Sequence, residues 1–282
     1  MMKTKSEINY NYQTVKISQS RIDRGLIALP RSLAGWFPDH NTTIQVYLGN
    51  SLIPEDKNYT SYTSSTNESR IGGMADWFNT NNIRDGDEIV IQLIDKKERI
   101  YRLIAENDFI IKTKELQDGF DKSQDEDEAL EGVVQLANWT ELDKSKVSLN
   151  EYRRLVDTMP VRKRGYVSRQ SNQTRERTPH NLRVLLGEIY QGHCQVCDFT
   201  FLKTDDKPYF EIHHIDPEEG HQPQNLMVVC ANCHRQFQFA NVDHTFNNEG
   251  WLIKVNFNQS FYNINQVLLN SEIEDFMKQT HI

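Results

Sequence analysis

Through the first hundred or so residues, apolar and polar positions alternate in short runs. Residues 14–17, 25–30, 43–48, 88–93 and 99–103 each show period-two or β-branched character, the pattern of strands that turn one face to a core. Asp85-Gly86-Asp87 places a turn ahead of the fourth run. A single segment in this half, Met74-Ala75-Asp76-Trp77-Phe78, reads as a short helix. Strands in this order with one inserted helix predict a small β-barrel over residues 1–120.

The period changes further on. Leu182, Leu185, Leu186 and Ile189 stand at i, i+3, i+4 and i+7, one apolar face of a helix. Thr178-Pro179 supplies an N-cap and a proline at the first helical position, and Gly192 supplies the stop. Between the two patterned halves, residues 121–177 read as a charged, partly helical linker, with helix expected over 149–156. The expectation is an α+β protein, with an N-terminal barrel at 1–120 and a second domain at 178–282. No internal repeat is visible.

Composition narrows the setting. The chain has 282 residues, 37% of them apolar, and a formal net charge of −8, which excludes a uniformly basic nucleic-acid coat. Charge is uneven, however: residues 121–131 hold six acids against one lysine, and 151–183 hold nine bases against three acids. A local basic stripe is what phosphate binding requires. Apolar runs such as Met227-Val228-Val229 are too short to span a membrane. The basic start Met1-Met2-Lys3-Thr4-Lys5 has no apolar stretch behind it, so it does not read as a signal peptide, and a cytoplasmic location is expected.

All four cysteines, Cys194, Cys197, Cys230 and Cys233, form two Cys-x2-Cys pairs separated by 32 residues. In a chain with no export signal, this spacing points to metal and away from disulfides. Four thiolates complete a tetrahedral Zn2+ shell and leave no open position, so one structural zinc per chain is expected to staple a small motif.

Between the pairs stand Tyr209-Phe210-Glu211-Ile212-His213-His214-Ile215-Asp216-Pro217 and Asn225-Leu226, and His234 follows Cys233 directly. In residue type and order, residues 185–240 resemble the HNH (ββα-metal) endonucleases of the McrA-like, Cys-paired restriction type. The resemblance implies a hairpin carrying the His pair, a helix carrying the last His, and one divalent ion between them. It implies His213 and His234 as ligands of a catalytic Mg2+ or Mn2+ and His214 as general base. Asn225 would fix the hairpin and the imidazole of His214, and cleavage would leave 5′-phosphate and 3′-hydroxyl ends.

The residue types suit that chemistry. Phosphodiester hydrolysis needs water deprotonated near neutral pH and a Lewis acid at the phosphate, and imidazole, with a pKa of about 6.5, suits the base. Adjacent strand residues point to opposite faces, so His213 and His214 take different roles. Glu211 shares the face of His213 and either assists the metal or pairs with a base. Gln238 stands four residues after His234, where many relatives carry a further His; a harder oxygen ligand there would favour Mg2+ or Mn2+. His40, His180, His193, His221, His244 and His281 are expected to be structural.

In the first half, Arg24-Gly25-Leu26-Ile27-Ala28-Leu29-Pro30 and Trp77-Phe78-Asn79 with Ile83-Arg84-Asp85-Gly86-Asp87-Glu88-Ile89 resemble the DNA-binding pseudobarrel of plant B-three domains and the EcoRII effector domain, over residues 15–105. The resemblance implies two arms in the major groove, carrying Arg21 and Arg24, and Ser69 and Arg70. Arginine would read guanine edges and serine would contact phosphate. Trp36 and Trp77 have two open readings, as core or as walls of a pocket for a flipped modified base. Together these features describe a restriction-type endonuclease acting on double-stranded DNA, either as a homodimer or as monomers nicking in turn. The alternatives are a modification-dependent or homing-type nuclease and a non-catalytic, zinc-stabilised DNA-binding protein.

Overall fold

The computed structural model describes residues 8–62, 68–169 and 172–270, so the basic N-terminal pentapeptide and His281 lie outside the described residues. The chain divides into two compact units, Met1–Leu116 with Asn138–Glu141, and Gln117–Ala137 with Leu142–Ile282.

The first unit runs β1 (Gln13–Lys16), α1 (Gln19–Asp23), β2 (Leu26–Leu29), β3 (Thr42–Leu48), β4 (Glu55–Thr60), β5 (Ser69–Gly72), α2 (Ala75–Thr80), β6 (Glu88–Asp95) and β7 (Ile100–Ala105), and then enters α3 (Glu106–Asp121). The seven strands form one sheet in the order β1-β6-β7-β3-β4-β5-β2. Every pairing is antiparallel except β3 with β7. The sheet curls into a near-closed barrel. Alternation is the reason: in β3, Ile44, Val46 and Leu48 are buried while Thr43 and Gln45 are exposed, so one face of the sheet encloses a core of Ile27, Ile44, Val46, Ile71, Phe78, Ile89 and Tyr101.

Strand β6 departs from simple alternation because Ile89, Val90, Ile91 and Gln92 are all buried. Its outer face is covered as well. Gln92 Nε2 donates to the Trp139 carbonyl at 2.7 Å, Trp139 Nε1 donates to Thr113 Oγ1 at 3.0 Å, and Phe109 stacks on Trp139 with ring centroids 5.5 Å apart.

The second unit carries the end of α3, then α4 (Glu126–Thr140, whose last residues belong to the first unit), α5 (Lys144–Thr158), the hairpin β8 (Tyr166–Arg169) and β9 (Asn172–Arg175), and α6 (His180–Tyr190). There follow β10 (Glu211–His214), β11 (Leu226–Val229), α7 (Ala231–Phe239) and the sheet β12 (Val242–Phe246), β13 (Leu252–Phe257) and β14 (Ser260–Asn263). The stretch 121–177, expected as a linker, is therefore largely built into this unit. α4 buries Ala129, Val133, Leu136 and Ala137, and α5 buries Val147, Ser148, Glu151, Tyr152 and Leu155. Part of its charge is consumed internally: Glu151, fully buried, accepts from Gln117 and Arg154, and Arg154 also grips both oxygens of Asp121 at 2.7 and 2.9 Å.

α6 begins at His180 with Pro179 in the N-cap position, one residue later than the sequence signal. Leu182, Leu185 and Leu186 are buried on one face. The helix ends with Gln191 and Gly192 both at positive φ, 49° and 72°. A Cβ on Gly192 would stand 2.4 Å from Cβ of Pro208, so only glycine delivers the chain to Cys194 at this angle.

Candidate active site and metal centre

The first cysteine pair lies in the turn after α6, where Cys194 accepts from the Asp198 amide at 2.8 Å. The second brackets the start of α7, where Cys230 occupies the N-cap and its sulfur accepts from the Cys233 amide at 3.4 Å. Buried Gln195 joins the two. Its amide donates to the Val228 carbonyl at 2.9 Å, its Oε1 accepts from the Val228 amide at 2.8 Å, and its Nε2 donates to the Asn265 carbonyl at 2.7 Å.

The four sulfurs all lie within 4.8 Å of one another, and those of Cys197 and Cys230 are 3.7 Å apart. A tetrahedron with bonds of about 2.3 Å to zinc has edges of about 3.8 Å, so the four sulfurs form a cluster of the size that would hold Zn2+ after a small contraction. The crowding also shows in the protonation of the thiols: hydrogen bonding from Cys233 drops Cys194 to about 4, while Cys194 in turn drives Cys233 sharply up. A cation between them removes this conflict. Leu252, Val255 and Phe257 of β13 pack on the same cluster, so the metal centre doubles as a core. Among the described residues, it is the one group of three or more His, Cys, Asp or Glu with ligand atoms this close together.

β10 and β11 form an antiparallel hairpin with His213 opposite Met227 and His214 opposite Leu226. The connection between them is pinned by Asn225. Its Oδ1 accepts from the Asp216 amide at 2.7 Å, and its Nδ2 donates to the carbonyls of Asp216 at 2.9 Å and Gly220 at 3.0 Å. Asn225 therefore spends its amide on the loop, and the imidazole of His214 is bonded elsewhere. Nε2 of His214 lies 3.0 Å from Nδ1 of His221. This corrects the expectation for Asn225 in part, and it places His221, expected to be structural, as the buried neighbour of His214. No motif spacing signals it; loop geometry alone brings it in.

A cleft of about 840 Å3 opens over the hairpin and α7, lined by His213, His214 and His234 and walled by Arg164, Arg175, Arg177 and Arg183. His244, expected to be structural, also faces it. His213 stacks on Phe237 at 4.1 Å and meets His234 edge-on at 5.2 Å between ring centroids. Burial pushes the pKa of both His213 and His214 down to about 3, with neighbouring charges adding to it: chiefly His234 for the former and Arg164 for the latter. Both imidazoles thus keep a lone pair at neutral pH.

Glu211, left open by the sequence, is hydrogen-bonded to Nδ1 of His234 and to the Tyr209 hydroxyl. Burial opposes its ionisation, but these two bonds outweigh that and hold its pKa below the usual carboxylate value. Gln238 lines the cleft, with its Oε1 accepting from Arg235 at 2.7 Å.

In the first unit, Arg21 and Arg70 are both paired with Glu68, the latter at 2.8 Å, and Arg24 is exposed at the end of α1. Ser69 is a correction. It is 1% exposed and its Oγ receives the Tyr59 hydroxyl at 3.2 Å inside the barrel, because strand alternation turns it inward where Arg70 turns outward. Trp36 and Trp77 both pack against the barrel core. Trp77 also lines a cleft of about 380 Å3 whose walls do not include Trp36.

Residues 194–238 match the HNH endonuclease family, so the second unit carries an HNH endonuclease domain. No curated protein matches the chain. Among solved structures, the Arabidopsis FUS3–DNA complex aligns at 14% identity and a TM-score of 0.29, covering 34% of this chain and 96% of that one. The Arabidopsis thaliana transcription factor LEC2–DNA complex aligns at 15% identity and a TM-score of 0.29, covering 35% and 94%. Among the described residues, no helix is long and apolar enough to cross a membrane.

Proposed function

We propose that the chain is a restriction-type, McrA-like endonuclease that hydrolyses phosphodiester bonds of double-stranded DNA in the cleft of the second unit. The observation that carries this reading is the position of His214: it lines an arginine-walled cleft beside His213 and His234, with one ring nitrogen already committed to His221. That leaves Nδ1 to take the proton of an attacking water. The water oxygen bonds to phosphorus as the bond to the 3′ oxygen breaks, and the departing oxygen takes up a proton from solvent, giving 5′-phosphate and 3′-hydroxyl ends.

His213 and His234 would hold Mg2+ or Mn2+, which when bound supplies positive charge to the scissile phosphate and the departing oxygen. Arg177 and the other arginines of the wall bind flanking phosphates, a sequence-independent contact. Cys194, Cys197, Cys230 and Cys233 hold structural Zn2+ and keep hairpin and helix in register.

Target recognition is assigned to the first unit. Its support is the pair of outward arginines, Arg21 and Arg70, brought together on Glu68, with Arg24 at the end of the helix α1 that carries Arg21. The test is digestion of plasmids grown in methylating and non-methylating hosts, with Mg2+ or Mn2+. Discrete fragments from one or both preparations support the reading, and a difference between hosts identifies dependence on modification. Intact plasmid in all conditions, from zinc-loaded protein that binds DNA, would leave a non-catalytic binder.

A further inference from the structure

We propose that Glu176 and His221 are positioning residues that fix the tautomer of His214, placing its proton on Nε2 and its lone pair on Nδ1. The inference rests on the reading of His214 as general base. His214 Nε2 lies 3.0 Å from His221 Nδ1, and both side chains are buried. On the far side of His221, Nε2 is buried without a hydrogen-bond partner and stands 3.8 Å from Oε2 of Glu176. That carboxylate is itself fixed. Arg162 donates to both of its oxygens at 3.1 Å, and the Gly165 amide donates to Oε2 at 3.3 Å. The bond from Arg162 prevails over burial and keeps Glu176 ionised to lower pH than an ordinary glutamate.

Electrostatics then decides where the protons sit. A buried ring nitrogen facing a carboxylate is stabilised as N–H and destabilised as a lone pair. His221, which burial keeps in the neutral form, therefore carries its proton on Nε2 and leaves Nδ1 as an acceptor. A bond between two ring nitrogens needs one donor and one acceptor, so His214 donates from Nε2. Its Nδ1 keeps the lone pair. The reverse arrangement, with His221 donating from Nδ1, would put the proton of His214 on Nδ1, where it could accept nothing from water. A carboxylate holding a catalytic imidazole in its working tautomer is an established device; here it would act through a second imidazole.

The same geometry gives Asn225 a role. Its bond to the Gly220 carbonyl places the residue next to His221, and a Cβ on Gly220 would stand 2.6 Å from the Arg162 carbonyl. The loop thus meets the backbone of Arg162, which holds Glu176, closely enough that a side chain at position 220 would force that backbone to shift.

The test is made on full-length protein labelled with 15N-histidine, using long-range 1H–15N correlation spectra that distinguish the tautomers, assigned with His214→Gln and His221→Gln. In the wild type, both His214 and His221 are expected in the Nε2–H form. Glu176→Gln can donate an amide proton to His221 Nε2. It should move both rings to Nδ1–H and lower kcat for cleavage roughly tenfold to a hundredfold, with KM unchanged, while Glu176→Asp keeps the wild-type tautomers. An Nδ1–H signal for His214 in the wild type, or Glu176→Gln cutting at the wild-type kcat, overturns the inference. The spectra are read without DNA, so a protein that never cleaves would defeat the nuclease reading while the tautomers are still determined.

Discussion

Nδ1 of His234, on α7, is hydrogen-bonded to the carboxylate of Glu211 at the start of β10, 23 residues earlier in the chain. The bond crosses from strand to helix and leaves Nε2 as the nitrogen of His234 that can bind an ion. A carboxylate behind a ligating imidazole fixes its orientation and raises its basicity, and loss of such a partner typically costs about 10–100-fold in metal affinity. Glu211→Gln is therefore expected to weaken Mn2+ binding by about that factor in calorimetric titration of zinc-loaded protein. Unchanged affinity would remove Glu211 from the site.

The zinc centre makes a separate prediction. Purified protein should contain one zinc per chain by elemental analysis. Strong chelation or Cys230→Ser should unfold the second unit, because binding worth about 10–16 kcal/mol is also folding energy for a motif of this kind. The barrel has its own core and should keep its β-sheet circular dichroism. Freely alkylated cysteines in native, zinc-free protein would contradict this.

Arginines walling the cleft should act through phosphates. Arg177→Ala is expected to weaken DNA binding for all sequences alike and to reduce the dependence of log affinity on log salt by about one unit. Fluorescence anisotropy across a salt series measures this. A sequence-selective loss would instead make Arg177 a base reader.

Ser69 and Arg24 separate structure from recognition in the barrel. Ser69→Ala removes the acceptor of the buried Tyr59 hydroxyl and should cost about 1–3 kcal/mol of stability, with DNA affinity intact. Arg24→Glu should leave the melting temperature nearly unchanged and weaken binding. Preserved binding in Arg24→Glu would move recognition away from α1.

What was legible in the sequence follows from how local each signal is. Cys194, Cys197, Cys230 and Cys233 were readable because tetrahedral ligation imposes a spacing. The apolar face of α6 was readable because Leu182, Leu185 and Leu186 carry a helical period undisturbed by charge. Strands β2 and β3 alternate clearly, while β6 is readable as a β-branched run although four consecutive residues of it are buried. β4 shows neither pattern, since Glu55, Asp56, Lys57 and Asn58 give it one buried residue, Tyr59; its place is set by the hydrogen bonds of β3 and β5 on either side. α4 was hidden behind the acids of its first turn, although Ala129, Val133, Leu136 and Ala137 form a buried stripe. Ser69 was misassigned because a resemblance gives the position of an arm but not the face of a strand. His221 and Glu176 were unreadable, since a relay across a loop and a separate segment leaves no period and no motif.

The most direct test of the account is the single-turnover cleavage rate of His214→Ala against wild type, at saturating Mn2+, with gel-shift and zinc analysis on the same samples. His214 is in neither the zinc centre nor the pair assigned to the catalytic ion, so zinc content and DNA affinity should match wild type. The rate should nonetheless fall by about 10²–10⁴, the usual contribution of a general base, and added Mn2+ should not restore it. His214→Ala cutting DNA at the wild-type rate would contradict the assignment of the base and the mechanism built on it.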